Sequence, residues 1–502
     1  MNFAIMQGRR DSLEESNVGE SPGRRRFAMA GFVEGVSRDQ ATLFPERLDE
    51  LIKPDAQVRV VDAFVKTLDL QALEFTKVVP LLEGRPPYNP ADLLKLYIYG
   101  YLHQTRSSRR LERECQRNIE VLWLLNRLAP DFKTIADFRR DNREGIRKAC
   151  RWFVQFCRWQ GLFGAELVAV DGSKFAGQNN PQLAHTVAQI EEEAARLDKR
   201  INGYLAVLDE SDAGEGAEEI APGDTRAALA LLQARRADVA QVLALMQAME
   251  LTQVTLTDPD SRLMRAARGG SVVGYNVQIA VDDRHGLIAH HAVTQDVSDQ
   301  NQLAAVAQGA KDELGCETLQ AAADSGYADA EQIQHCEDAG ITPFVPHPRS
   351  ANTKGPFFPK SQFVYEKEQD QYRCPAGGVM RFHSASDKKQ ASNYVGINCA
   401  GCALKSRCTN AEARWVTRHQ YEDALDRLAA RMKTRPGIMK RRGALAEHPF
   451  GIIKAMMGDA RFLCRGLQAV AAEMDLSVLA FNLKRAMNIV GCKEIIAQLS
   501  AA

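Results

Sequence analysis

The sequence predicts an α/β protein, with a mixed-sheet core, a helical segment before it and two insertions within it. Three observations predict this. Gly274 to Asp283 alternates around Tyr275, Val277, Ile279 and Val281, the period of a half-buried strand. Two short apolar runs, Leu167 to Val170 and Leu319 to Ala323, each end at an aspartate. Pro90 to Leu102 carries apolar residues at helical spacing after the start signal Asn89-Pro90.

A chain of 502 residues suits two or three domains. Its 45% hydrophobic and 25% charged content fits a soluble globular protein and excludes a wholly disordered one. A formal net charge of +0 gives no hint of a polyanionic partner, yet Tyr101 to Gln160 holds 14 Lys or Arg against 7 Asp or Glu. Basic and acidic segments therefore cancel in the total. A solvated helical surface is the plain alternative for that segment. No run of 18 apolar residues exists, so no membrane span or membrane partner is expected. No apolar stretch follows Arg9-Arg10 in the way a secretory leader requires. Residues 1–28 are polar and are expected to be disordered. The 11 cysteines read as free thiols of a reducing cytoplasm, one cluster excepted.

Residues 29–160 read as a helical N-terminal domain. Ser107 to Glu114 and Thr134 to Arg140 each begin with a capping Ser or Thr and are rich in arginine. Arginines at short helix starts, Arg109, Arg110, Arg139 and Arg140, suit phosphate contact. An ordinary helical bundle is the alternative. Residues 165–345 then read as three strands, helix, strand, helix, strand, with a hairpin turn at Asp283 to Gly286. That is the order of the ribonuclease H-like fold, completed by helices over 420–498. Residues 185–250 form a helical insertion, read as a hairpin with antiparallel coiled-coil packing as one form of it. Residues 346–418 form a second, cysteine-bearing insertion.

The chemistry-bearing residues are acidic and far apart. Asp171 and Asp324 are expected at strand ends, and Glu447 near a helix start, where Pro449 is tolerated in the first turn. Three such carboxylates can converge on two Mg²⁺ ions. Taken singly each has a plain alternative: Asp-Gly as a turn, Glu447 as a capping carboxylate. Glu447 and Lys454 share one helix face, metal ligand and phosphate contact respectively on the active reading. Ten basic residues from Arg427 to Arg465, Arg441 and Arg442 among them, stand against Asp426, Glu447 and Asp459. That balance suits a substrate made of phosphates. Cys374, Cys399, Cys402 and Cys408 are spaced to make a tetrahedral Zn²⁺ site, in a segment that looks too poor in apolar residues for its own core. Unpaired surface thiols are the alternative.

Phe32 to Arg38, Asp171-Gly172-Ser173-Lys174-Phe175, Ala323-Asp324-Ser325-Gly326-Tyr327, Glu447 to Lys454, and the tail from Arg465-Gly466-Leu467 to Asn482-Leu483-Lys484-Arg485 occur in that order. Together they resemble the bacterial insertion-sequence transposases of the DDE type, in the branch with a helical N-terminal domain and a cysteine-bearing insertion. The resemblance runs from about Met29 to Cys492. It implies Asp171, Asp324 and Glu447 as the catalytic, metal-binding triad, with two Mg²⁺ or Mn²⁺ ions. It implies Lys454 as a phosphate contact. A Tyr and an Arg precede the family's Glu; here Met439 stands near the Tyr position and Arg441 or Arg442 near the Arg. The implied partner is double-stranded DNA, as terminal inverted repeats and as target, bound by a homo-oligomer in the bacterial cytoplasm. A metal-dependent nuclease without strand transfer, or a domesticated DNA-binding protein, are the rival functions.

Overall fold

The computed structural model describes residues 47–79, 86–179, 184–213, 222–248, 253–255, 257–265, 269–346, 357–387, 390–458 and 460–501. The expected disordered extension at 1–28 and the segment Phe32 to Arg38 lie outside the described residues.

Among the described residues six α-helices precede the first strand: α1 (Gln57–Lys66), α2 (Pro90–Leu102), α3 (Ser108–Arg117), α4 (Ile119–Leu124), α5 (Phe132–Asp141) and α6 (Arg143–Trp159). Asn89 caps α2 by accepting the Ala91 N–H, with Pro90 at the first helical position. α2 is buried along nearly its whole length, which explains its unbroken apolar run. α5 differs from its expected start. Asp131, not Thr134, caps it, accepting from the N–H groups of Lys133 and Thr134. A carboxylate facing orphan N–H groups outcompetes the later hydroxyl. Arg139 and Arg140 consequently fall in the last turn of α5 rather than at a helix start.

Along the chain then come β1 (Leu167–Ala176), the pair β2 (Ala184–Thr186) and β3 (Gln253–Thr255) flanking α7 (Val187–Ala213) and α8 (Pro222–Ala248), β4 (Arg262–Arg265), β5 (Ser271–Asp282), β6 (Ile288–Thr294), α9 (Leu303–Leu314), β7 (Leu319–Ala322), α10 (Ala330–Asp338) and β8 (Ile341–Phe344). β5 pairs antiparallel with both β1 and β6, and β7 runs parallel to β1 and β8. The spatial order is therefore β6-β5-β1-β7-β8, with β4 extending the edge beside the start of β5. The hairpin turn closes through Gly286, whose φ of 68° only glycine adopts freely and whose N–H bonds the Asp282 carbonyl. β2 and β3 form a two-stranded pair at the base of α7 and α8. Those helices pack together through Ile190 and Met246, with Arg236 paired to Asp198 at 2.7 Å.

Residues 364–419 form a separate antiparallel sheet: β9 (Val364–Glu366), β10 (Gln371–Arg373), β11 (Val379–Ser386), β12 (Ala391–Gly396) and β13 (Trp415–His419). Contrary to the sequence expectation, this segment has its own apolar core: Phe358, Phe363, Tyr372, Met380, Tyr394 and Val416. Among the described residues four α-helices follow: α11 (Glu422–Thr434), α12 (Ile438–Met457), α13 (Leu467–Val490) and α14 (Cys492–Ala501). α13 is buried over most of its length and packs on α2, α6 and β6. Its Asn482 side chain bonds both the N–H and the carbonyl of Ile288 on β6, each at 2.9 Å. Among the described residues no helix is long and apolar enough to cross a membrane.

Candidate active site

Asp171 lies in the middle of β1, not at its end. The strand continues through Gly172, Ser173 and Lys174 because β5 pairs with it from Val168 to Ala176. Pairing overrides the weak strand propensity of an Asp-Gly-Ser sequence. On the other edge β7 pairs only as far as Ala169. Beyond that point no strand runs beside β1 until Ala176 bridges to Arg461, and α12 packs on it. Asp324 is separated from the end of β7 by one residue and caps a short turn, accepting the Gly326 N–H at 2.8 Å. Adjacent parallel strands thus deliver the two aspartates side by side.

Arg442 stands between them. It rises from α12, is buried, and donates to the Val170 carbonyl. Its Nη2 is 2.6 Å from Asp171 Oδ1 and 3.6 Å from Asp324 Oδ2. One guanidinium nitrogen therefore touches both carboxylates. Burial raises the Asp171 carboxyl to about 6; Arg442 opposes the rise and the Asp324 charge adds to it. A carboxyl raised above its ordinary 3.8 stabilises the fold fully at low pH and loses that contribution as pH rises through about 6. Asp171→Asn cannot ionise. It should gain stability relative to wild type between about pH 4 and pH 7, by up to about 3 kcal/mol at 1.36 kcal/mol per unit. Denaturant midpoints at both pH values, taken with chelator, check this; a difference that shrinks with pH would refute the assignment.

Glu447 is not near a helix start. α12 begins at Ile438, so Glu447 and Pro449 both lie inside it. Proline removes one backbone hydrogen bond and crowds the preceding turn. Burial offsets this: Pro449 and Phe450 are buried, with Phe450 against Phe175 of β1. Glu447 itself is exposed. It shares a helix face with Lys454, whose Nζ donates to Ser173 Oγ at 2.6 Å and lies 5.0 Å from the Phe175 ring. Arg441, next to Arg442, pairs with Asp283.

A polar layer beneath Asp171 escaped the sequence reading. Asp299 Oδ1 accepts from Lys174 Nζ at 2.9 Å, and from Asn276 Nδ2 and Gln278 Nε2 at 2.7 Å each. The Tyr327 hydroxyl donates to Gln278 Oε1. A Cβ on Gly172 would stand 2.4 Å from Gln278 Nε2 and 2.6 Å from Asp299 Oδ1, so any other residue there would have to push these bonded side chains apart. The signal was present: Asn276 and Gln278 are two amides on one face of an otherwise apolar strand, and both are fully buried.

The arginines of the N-terminal helices divide. Arg109 and Arg110 are exposed in the first turn of α3, with Arg109 stacked on Phe132 at 5.1 Å. Arg140 is exposed and paired with Asp137 at 2.7 Å and Asp141 at 2.8 Å. Arg139 instead lies over the Tyr97 ring at 5.4 Å, reaching the Tyr101 hydroxyl at 3.5 Å, a packing position inside the helical segment. Cys374, Cys399, Cys402 and Cys408 line one cavity of about 350 Å³. The Cys374 turn closes through Gly377, at φ 79°. Burial raises the Cys408 thiol, with Cys399, Cys374 and Cys402 near enough to add to the effect.

Two family models match. Residues 46–141 match the transposase domain DUF772, and residues 373–487 match the transposase DDE domain. The class these matches define is the transposases. Both matches support a transposase of the DDE type. The second match spans Glu447 and the four cysteines, whereas Asp171 and Asp324 lie between the two matches. No curated protein matches. A solved cryo-EM structure, the piggyBac transposase synaptic complex with hairpin DNA, is similar at 9% identity and a TM-score of 0.32, over 91% of this chain and 81% of that one. A likeness that loose carries no argument.

Proposed function

We propose that this transposase binds the terminal inverted repeats of its element, hydrolyses DNA at the ends and joins the freed 3′-hydroxyls to target DNA. The observation that carries the reading is the meeting of Asp171 and Asp324, from adjacent strands, at one guanidinium nitrogen. The sheet order β6-β5-β1-β7-β8 supports a ribonuclease H-like core. The donor set fits Mg²⁺ or Mn²⁺: two converging carboxylates already hold a cation's charge, and oxygen is the ligand such ions take. Asp171, Asp324 and Glu447 would hold two such ions, which when bound would activate the attacking oxygen and steady the leaving one.

The chain's own side chains do the rest. Arg442 neutralises the two aspartates when they are otherwise uncompensated. Lys454, anchored on Ser173, offers a cation beside β1 for a phosphate. The Asp299 amide layer fixes the β1 backbone on which Asp171 stands. Cys374, Cys399, Cys402 and Cys408, which share a cavity, would hold a structural Zn²⁺ at the side of the small sheet on drawing closer together than they stand. Assembly as a homo-oligomer on DNA completes the reading.

Incubating the full chain and Mg²⁺ with DNA carrying the element's ends tests it. Nicks at the ends followed by joined products are expected. Nicks without joining would make it a nuclease; binding without nicks, a domesticated DNA-binding protein. Arg109 and Arg110 should contact phosphate. Changing both to Ala should lower the slope of log affinity against log salt by about 0.9 per contact. Arg139→Ala should leave that slope alone and cost about 1–2 kcal/mol of stability through lost stacking on Tyr97. The opposite pattern, an altered slope for Arg139 only, would overturn the division.

A further inference from the structure

We propose that Cys150, His291 and Asp475 form a second metal site, distinct from the aspartates of β1 and β7, that takes Zn²⁺ and ties α6, β6 and α13 together. The three residues come from three separate elements, and their ligand atoms all lie within 4.8 Å of one another. His291 Nε2 is 2.8 Å from Asp475 Oδ1. That separation fits a hydrogen bond, and is also close to the edge of a tetrahedron built on bonds of about 2.0 Å, roughly 3.3 Å.

A second observation asks for a cation. Asp475 is buried, 4% exposed, and its Oδ2 has no hydrogen-bond partner, although Cys150 and His291 are close by. An orphaned buried carboxylate oxygen is costly, and a metal ion satisfies it. Charge agrees: one thiolate, one carboxylate and a neutral imidazole cancel Zn²⁺, so the loaded site is neutral in a buried place. Sulfur and imidazole favour Zn²⁺ over Mg²⁺. A cavity of about 330 Å³ bordered by His291 and Asp475 leaves room for a water as fourth ligand. Binding ionises the Cys150 thiol and releases its proton to solvent. The effect is a clip: α6 belongs to the N-terminal helices, β6 to the sheet and α13 to the final helices.

The test is zinc stoichiometry of the full chain after chelator treatment and reloading. Cys150→Ala, His291→Gln and Asp475→Asn should each bind one equivalent fewer than wild type, leaving the thiols of the small sheet loaded. Zinc should raise the melting temperature of wild type more than that of Asp475→Asn. In chelator Asp475→Asn should melt above wild type, because a neutral amide replaces the buried, half-partnered carboxylate. Unchanged stoichiometry in folded variants would overturn the proposal. Should the variants fail to fold, zinc-edge anomalous diffraction from zinc-soaked wild-type crystals decides: a peak between the three side chains supports the site, and its absence there refutes it.

Discussion

Asp324→Asn should lower DNA cleavage in Mg²⁺ by at least about 10³-fold, equivalent to about 4 kcal/mol of barrier. It should leave binding to the element's ends near that of wild type. The geometry makes this a clean removal of charge. Asp324 is held by the Gly326 N–H at 2.8 Å, and an asparagine oxygen accepts the same hydrogen bond. The turn at Ser325–Tyr327 therefore survives. What is lost is one of the two negative charges beside Arg442 Nη2. The proposed end-binding residues lie on α3, far along the chain. A variant that cleaves at close to the wild-type rate would remove Asp324 from the chemistry. One that loses end binding as well would mean that the substitution unsettles more than the turn.

The second large effect concerns stability. Arg106, just before α3, is buried and pairs with the fully buried Glu473 of α13 at 2.7 Å. The carboxylate also accepts from the N–H groups of Leu463 at 2.9 Å and Cys464 at 3.0 Å. Arg106 donates further to the carbonyls of Arg461 and Met457. The pair joins the N-terminal helices to the loop between α12 and α13. Removing one partner strands a buried charge, so Arg106→Met and Glu473→Leu should each cost about 3–5 kcal/mol. The double variant should cost clearly less than the two singles together, because it leaves neither charge orphaned. Chemical denaturation of the four proteins checks this. Additive losses would mean that the two side chains act independently.

Much of the core was legible because its signal is periodic. The alternation at Tyr275, Val277, Ile279 and Val281 is that of β5, and all four are fully buried. Asn89-Pro90 marked the start of α2 because capping is a local event. What could not be read was decided by tertiary contact. Nothing local says that Asp171 to Ala176 stays in a strand; β5, a hundred residues later in the chain, holds it there. Nothing local tolerates Pro449 inside a helix; packing of Phe450 on Phe175 does. The core of the small sheet escaped because Phe358, Tyr372, Tyr394 and Val416 follow no period and meet only across strands. In the candidate site, Asp171, Asp324 and Arg442 were all named from the sequence, but the placement of Arg442 between the two aspartates was not. A guanidinium in a basic stretch reads as solvent-facing until a fold turns it inward.

Asn482 has a consequence for self-association. β6 is an outer strand, and a bare outer strand invites another chain to add itself backbone to backbone. Here a side-chain amide from α13 occupies both the N–H and the carbonyl of Ile288, imitating the neighbour that the strand lacks. The invitation is withdrawn at that position. A second copy of this chain could not extend the sheet backbone to backbone along β6 at Ile288 without first displacing Asn482.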